Sequence, residues 1–244
     1  CRLLEKWPTL QALQSATPES IREFYHTNGS RRASVIEKRL ALIAEAIPLT
    51  DDKAILEASS FHVAALVCQC NALRKSIEAC DKEIAALFEE HEDSKIFASL
   101  TGAGPNLGSR LITLFGTDRS RFRGAGSVQR FAGIAPVTKQ SGSTRLVHRR
   151  FACPKFLRLT FLEWVGQTIT RSLWARAYYE QQKAKGVSHY TALRALAYKW
   201  IRIIWRCWQD RVPYCEETYI KSLTERKSPL VSLINELALP GNKS

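Results

Sequence analysis

The sequence predicts a mainly α fold: a helical connector and a long coiled-coil helix, followed by a compact helical domain. Three observations predict it. Apolar residues recur at steps of three and four through much of the chain, the period of a helix with one buried face. Val63, Leu66, Cys70, Leu73, Ile77, Cys80, Ile84 and Leu87 form a heptad seam. Charge is segregated: residues 1–95 hold 12 Lys and Arg against 15 Asp and Glu, residues 96–215 hold 20 against 4, and residues 216–244 hold 4 of each.

Residues 1–53 alternate short helical patterns with breakers. Thr17-Pro18-Glu19-Ser20 has the form of a helix start, with Pro early and an acidic residue in the first turn. Asn28-Gly29-Ser30 is a turn. Ala33 to Ile47 carries Ile36, Leu40, Ile43 and Ile47 on one face, and Pro48 stops it. No chemistry is visible here, and the segment reads as a helical connector from a domain further upstream. Met is absent and the chain begins at Cys1, which fits a piece of a longer polypeptide.

Residues 54–95 are the coiled-coil segment. Arg74, Lys75, Glu78, Asp81, Lys82 and Glu83 occupy its other faces, as on a solvated helix. The seam either packs on the rest of its own domain or joins two helices. Self-association into a homo-oligomer is the expected use.

Residues 96–220 form the basic domain. Gly102-Ala103-Gly104 followed by Pro105 marks a tight turn into a helix. With apolar flanks on both sides it has the pattern of a helix-hairpin-helix, whose backbone N–H groups grip phosphate without reading sequence. No Gly-Lys-Ser/Thr follows, so it is not a P-loop. Gly102, Gly104, Asn106 and Arg110 are the expected nucleic-acid contacts of this turn, and Arg121, Arg123, Lys155 and Arg158 extend the basic surface. Helices are expected over Ser127 to Phe131, from Pro154 past Trp164, from Trp174 to Lys185-Gly186, and over Ala192 to Trp208. Their tryptophans, at helical spacing, read as packing rather than base-stacking platforms. Residues 221–244 read as a tail with a frayed end.

Between these helices lies the stretch with the most chemistry, Ala135 to Arg150, APVTKQSGSTRLVHRR. It reads as a short polar loop centred on Ser141-Gly142. Lys139 precedes the serine; Arg145, His148, Arg149 and Arg150 follow it. A serine hydroxyl is a weak nucleophile until it is activated. Fixed cations around it suit a phosphodiester, whose transition state spreads negative charge over its oxygens. Ser-Gly is also ordinary turn chemistry. The residues alone therefore leave two readings open, a nucleophile and a turn beside a solvated basic face.

The totals narrow the class. A net charge of +13 and a pI near 9.6 point to an anionic partner, above all nucleic acid. No run of about 18 apolar residues occurs, so no membrane partner is expected. The start CRLLEKWPTL lacks the apolar core of a signal peptide, which places the protein in the cytoplasm. The 7 cysteines and 5 histidines make no C-x-x-C pair and no zinc pattern, so neither a disulfide nor a bound metal is expected in this chain.

Three features in this order carry a resemblance: Gly102-Ala103-Gly104-Pro105; Phe131-Ala132-Gly133-Ile134-Ala135-Pro136 leading to Gln140-Ser141-Gly142; and the basic stretch into Phe156-Leu157-Arg158. Together, over roughly residues 96 to 220, they resemble the C-terminal transposase domain of the insertion sequence 110 family, in its longer, 1111-like subgroup. The seam before them is similar to that family's coiled-coil connector. The resemblance implies a DNA recombinase guided by a structured bridge RNA, in which Ser141 forms a covalent phosphoserine link to DNA. It also implies a RuvC-type N-terminal domain whose acidic residues hold Mg²⁺, and residues 1–53 are too short to be that domain. On this reading the chain is a C-terminal part, inactive alone. Ser141 is then the nucleophile; Arg145, Arg149 and Arg150 stabilise the developing charge, Lys139 eases formation of the alkoxide, and His148 contacts DNA or relays a proton. One departure stands out. Many members carry Ile-Ser-Lys-Arg-Gly after the serine, where this chain has Val147-His148-Arg149-Arg150-Phe151-Ala152-Cys153. The alternatives are a non-catalytic helix-hairpin-helix protein that binds DNA or RNA, and a structural partner that works through its coiled coil.

Overall fold

Trp7, Leu13 and Ile21 form the core of the first of two units, residues 1–80; the second begins at Asp81 and has a core of its own. The computed structural model describes residues 1–238, and the end of the tail, expected to fray, lies outside them. In the first unit, α1 (Arg2–Lys6), α2 (Leu10–Gln14), α3 (Pro18–Thr27) and α4 (Ala33–Glu45) pack Phe24, Tyr25, Leu40 and Ile43 around that core. The predicted start of α3 is found: the Thr17 hydroxyl accepts from the Ser20 N–H, and Pro18 opens the helix.

The long helix α5 runs from Lys53 to Glu90, 38 residues in all, or about 57 Å at the rise of an α-helix. Two apolar side chains off the seam, Val67 and Phe88, are buried. The seam itself faces outward: Leu73 is 63% exposed and Ile77 59%, with Leu66, Ile84 and Leu87 exposed too. Phe88 packs the end of its ring against Gly108, where a Cβ would come within 2.8 Å of it.

The second unit continues with α6 (Ser94–Ala98), α7 (Gly104–Phe115), α8 (Ala125–Phe131), β1 (Val137–Ser141), β2 (Thr144–His148), α9 (Lys155–Ile169), α10 (Leu173–Ala184), α11 (His189–Asp210), α12 (Glu216–Glu225) and α13 (Leu230–Ala238). The fold is mainly α, as the periodicity predicts. At its centre α11 buries Leu193, Leu196, Ala197, Trp200, Ile201, Ile204 and Trp208, all of them expected from spacing. The tryptophans are packing. Trp164 and Trp174 flank Trp200 with ring centroids 4.9 and 4.6 Å away. The Trp205 Nε1 is buried without a partner, but the four central indole N–H groups each have an acceptor: Trp164 the Thr101 carbonyl, Trp174 the Tyr214 hydroxyl, Trp200 the Thr168 hydroxyl, Trp208 the Gly116 carbonyl. That satisfies the only polar atom each ring brings into the core.

One expectation is corrected. Residues 137–148 are not a polar loop but an antiparallel hairpin, β1 with β2, in register Val137 with His148 through Ser141 with Thr144. The local chemistry explains it. Val137, Thr138, Thr144 and Val147 are β-branched, and Gly142-Ser143 makes a two-residue connection with φ positive (56°) at Gly142. A glycine at the first central position is what a type II′ hairpin turn demands.

Candidate nucleic-acid interface

The hairpin is held at its base and free at its tip. Its entry is fixed by the end of α8. Ala132 caps the helix, the Gly133 N–H donates to the Arg130 carbonyl and the Ile134 N–H to the Gln129 carbonyl. This is a Schellman closure with glycine at the left-handed position, φ 71°. Gln129 is itself buried and donates through Nε2 to the Tyr198 carbonyl on α11. The exit is fixed by Cys153, packed against Gly133, and by Arg158, which donates from Nη1 to the Arg150 carbonyl at 3.3 Å.

Strand alternation sorts the candidate residues onto two faces. The register puts Lys139, Ser141, Thr144 and His148 on one face, with Gln140 and Arg145 on the other. Lys139 is thus beside Ser141, and Arg145 is turned away from it. His148 pairs with Val137 at the base, four residues from Ser141, a separation of about 13 Å at 3.3 Å per residue. Arg149 and Arg150 lie beyond it. The six residues expected around the serine hydroxyl are therefore not gathered there within one chain: Ser141 and Lys139 sit at the exposed end, and the other basic groups lie on the far face or at the base.

At the base the charges converge. Arg149 and Arg194 line a cleft of about 460 Å³ together with His148, Tyr178, Thr191 and Tyr198. Arg194 is pushed below its ordinary pKa by burial and by the neighbouring guanidiniums of Arg149 and Arg158. Burial, then Arg202, does the same to Lys199, whose ammonium rests 4.3 Å from the Tyr178 ring centre. Arg150 has a buried Nε with no hydrogen-bond partner. Arg149 lies over the exposed ring of Phe151 at 4.5 Å. A concentration of cations held without carboxylates suits a polyanion.

A second basic group surrounds the glycine turn. Gly102 has φ 75° and is wedged against α9, where a Cβ would meet Gln167 Cβ at 3.2 Å and Arg171 Cδ at 3.5 Å. Gly104 and Asn106 are exposed at the start of α7, which has no side-chain cap. Arg110 is engaged already, in an ion pair with Glu163 at 3.1 Å and 5.5 Å from the Phe156 ring. Lys155 is exposed at the start of α9. Arg121 lies against Phe122 and Phe131, and Arg123 is exposed. Sequence reasoning missed Arg171, Arg194, Tyr178 and Tyr198. The basic side of α11 was visible in the sequence, but which element it faces was not.

Comparison with known proteins bears on this region. Residues 94–180 match the Transposase IS116/IS110/IS902 family. The matched residues include α6 to α9, the hairpin with Ser141, and most of α10. A protein of the IS117 mini-circle of Streptomyces coelicolor, named as a transposase, is 32% identical over 164 residues, 67% of this chain and 40% of its own length. An uncharacterized 44.8 kDa protein of insertion element IS116 from Streptomyces clavuligerus is 27% identical over 84% of this chain and 53% of its own. An uncharacterized 42 kDa protein of insertion element IS900 from Mycobacterium paratuberculosis is 28% identical over 81% of this chain and 51% of its own. The chain spans about half the length of the curated relatives it matches. No helix among the described residues is long and apolar enough to cross a membrane.

Proposed function

We propose that this chain is the C-terminal part of a DNA transposase that cuts and rejoins DNA through Ser141. The observation that carries the reading is the placement of Ser141 at the exposed end of a hairpin whose base lies in a cluster of cations with no carboxylate partner among the described residues, within the region that matches the transposase family. A hydroxyl raised from the surface can reach a phosphorus atom in a duplex. The cations below it hold the backbone on either side.

In the reaction, the Ser141 Oγ–P bond forms as one DNA O–P bond breaks, giving a serine ester. The proton lost by the serine hydroxyl is balanced by one gained from solvent by the departing DNA oxygen, which leaves as a hydroxyl. Attack on that ester by the hydroxyl of a second strand restores the serine and joins new partners. Lys139, on the same face, favours the alkoxide and the charge building on the phosphate oxygens. The base of the hairpin lies about 13 Å away, about four nucleotides along one strand of a duplex. Arg149 and Arg150 therefore grip flanking phosphates rather than the one attacked, with His148 in contact beside them. Arg145 faces a second segment of backbone from the opposite side of the hairpin. The glycine turn of Gly102 and Gly104, with Asn106, Lys155 and Arg123, holds more distant phosphates of the DNA or of a structured guide RNA.

The outward seam from Val63 to Leu87 fits a homo-oligomer, since strand exchange needs more than one active serine. Mg²⁺ belongs to the acidic N-terminal domain that the sequence resemblance implies. Among the described residues no three His, Cys, Asp or Glu side chains cluster to hold a metal, and the hairpin carries no carboxylate, so no step here runs through it. Recombination between donor and target plasmids by the full-length protein with its RNA tests the reading. Loss of product with Ser141→Ala supports it, and full activity of that variant refutes it.

A further inference from the structure

The cleft at the base of the hairpin has a second property that backbone gripping does not use. Thr191, Arg194, Ala195 and Tyr198 stand at i, i+3, i+4 and i+7, so a single face of α11 forms one wall. Tyr178 of α10 adjoins it, and Val147 and Arg149 close the opposite side. A volume of about 460 Å³ falls within the range of small-ligand sites, and it is larger than a single phosphate requires. Its surfaces are of two kinds. Arg149 and Arg194 supply donors for an anion, with Arg158 near enough to perturb Arg194, and no carboxylate among the described residues pairs with any of the three. Three guanidiniums this close repel one another, and a phosphate between them turns that repulsion into charge-assisted hydrogen bonds. Tyr198 is 40% exposed and supplies an aromatic ring beside them.

In a chain read as binding nucleic acid, an anion site next to an aromatic ring fits a nucleotide, and the ring can be used only if the base is free. A paired base is stacked within its own helix and offers an edge; an unpaired one offers its π-face. We propose that the cleft takes one unpaired nucleotide, its phosphate on Arg149 and Arg194 and its base against Tyr198. The inference rests on the nucleic-acid reading above and adds to it a preference for a strand opened about 13 Å from Ser141.

The test is fluorescence anisotropy of the full-length protein with a short fully paired DNA duplex, the same duplex carrying a one-nucleotide bulge, and the corresponding pair in RNA. Stacking of one base on an aromatic side chain predicts about tenfold tighter binding of the bulged duplex. Tyr198→Ala is expected to bring the ratio of the two affinities to about one, and Tyr198→Phe to keep it. The Tyr198 ring is partly exposed and only its backbone carbonyl holds Gln129, so the alanine variant retains the fold. A preference for the DNA bulge assigns the cleft to a substrate strand, and a preference for the RNA bulge assigns it to the guide. Equal binding of bulged and paired duplexes would overturn the proposal while leaving the nucleic-acid reading in place. So would a bulge preference that survives Tyr198→Ala. Failure to bind any duplex would overturn both.

Discussion

Gly133 and Cys153, 20 positions apart in sequence, are packed so closely that a Cβ on the glycine would lie 2.2 Å from the cysteine Sγ and 2.7 Å from its Cβ. The contact joins the strand entering the hairpin to the segment leaving it. It also fixes where the base of the hairpin sits relative to Arg158 and α11.

Gly133→Ala is therefore expected to cost about 3 kcal/mol, combining an overpacked contact with a left-handed φ of 71°. Thermal unfolding of the variant is expected about 10 °C lower. Adding Cys153→Ala removes the sulfur contact and leaves the Cβ one, so it restores only part of the loss. Complete restoration would show that backbone strain contributes nothing.

Asp93 and Arg119 form the one well-buried ion pair among the described residues. The carboxylate is nearly inaccessible, both its oxygens accept from the guanidinium, and that guanidinium lies 4.5 Å from the Trp208 ring centre. Asp93→Ala strands a buried cation and is expected to lower stability by about 3–5 kcal/mol. Asp93→Ala with Arg119→Met removes both charges and recovers most of that in chemical denaturation. Equal losses in the single and double variants would mean that the pair acts by volume rather than charge.

The exposed seam of α5 predicts assembly without nucleic acid. Leu73→Glu with Ile77→Glu introduces like charges at adjacent seam positions and is expected to convert the oligomer to monomer. Light scattering after size-exclusion chromatography reads the change. A wild-type chain that is already monomeric at the concentrations used would contradict the self-association reading.

The helices were legible because their cores repeat. Ala192 to Trp208 places Leu193, Leu196, Trp200, Ile204 and Trp208 on one stripe, and that stripe is the centre of the fold. Thr17-Pro18 was legible because capping is local. The hairpin was not, because a strand exposed on both faces lacks the polar–apolar alternation that marks a half-buried one. Its only signals were the β-branched residues and Gly142. Within the candidate site, Ser141 could be singled out from its basic neighbours. The separation of Ser141 from Arg149 could not, since it depends on register. The meeting of Arg149 with Arg194, 45 positions later, depends on how α11 packs beneath the hairpin, and nothing local to either residue encodes it.

The central claim is that the Ser141 hydroxyl, at the end of its hairpin, is the atom that attacks DNA. The most direct measurement incubates the full-length protein with its RNA, Mg²⁺ and end-labelled donor and target DNA, denatures the mixture, and looks for label that stays with protein. A protease-sensitive adduct, formed by the wild type and absent with Ser141→Ala, is the predicted result. An adduct that persists in the alanine variant would contradict the claim and move the chemistry to another residue.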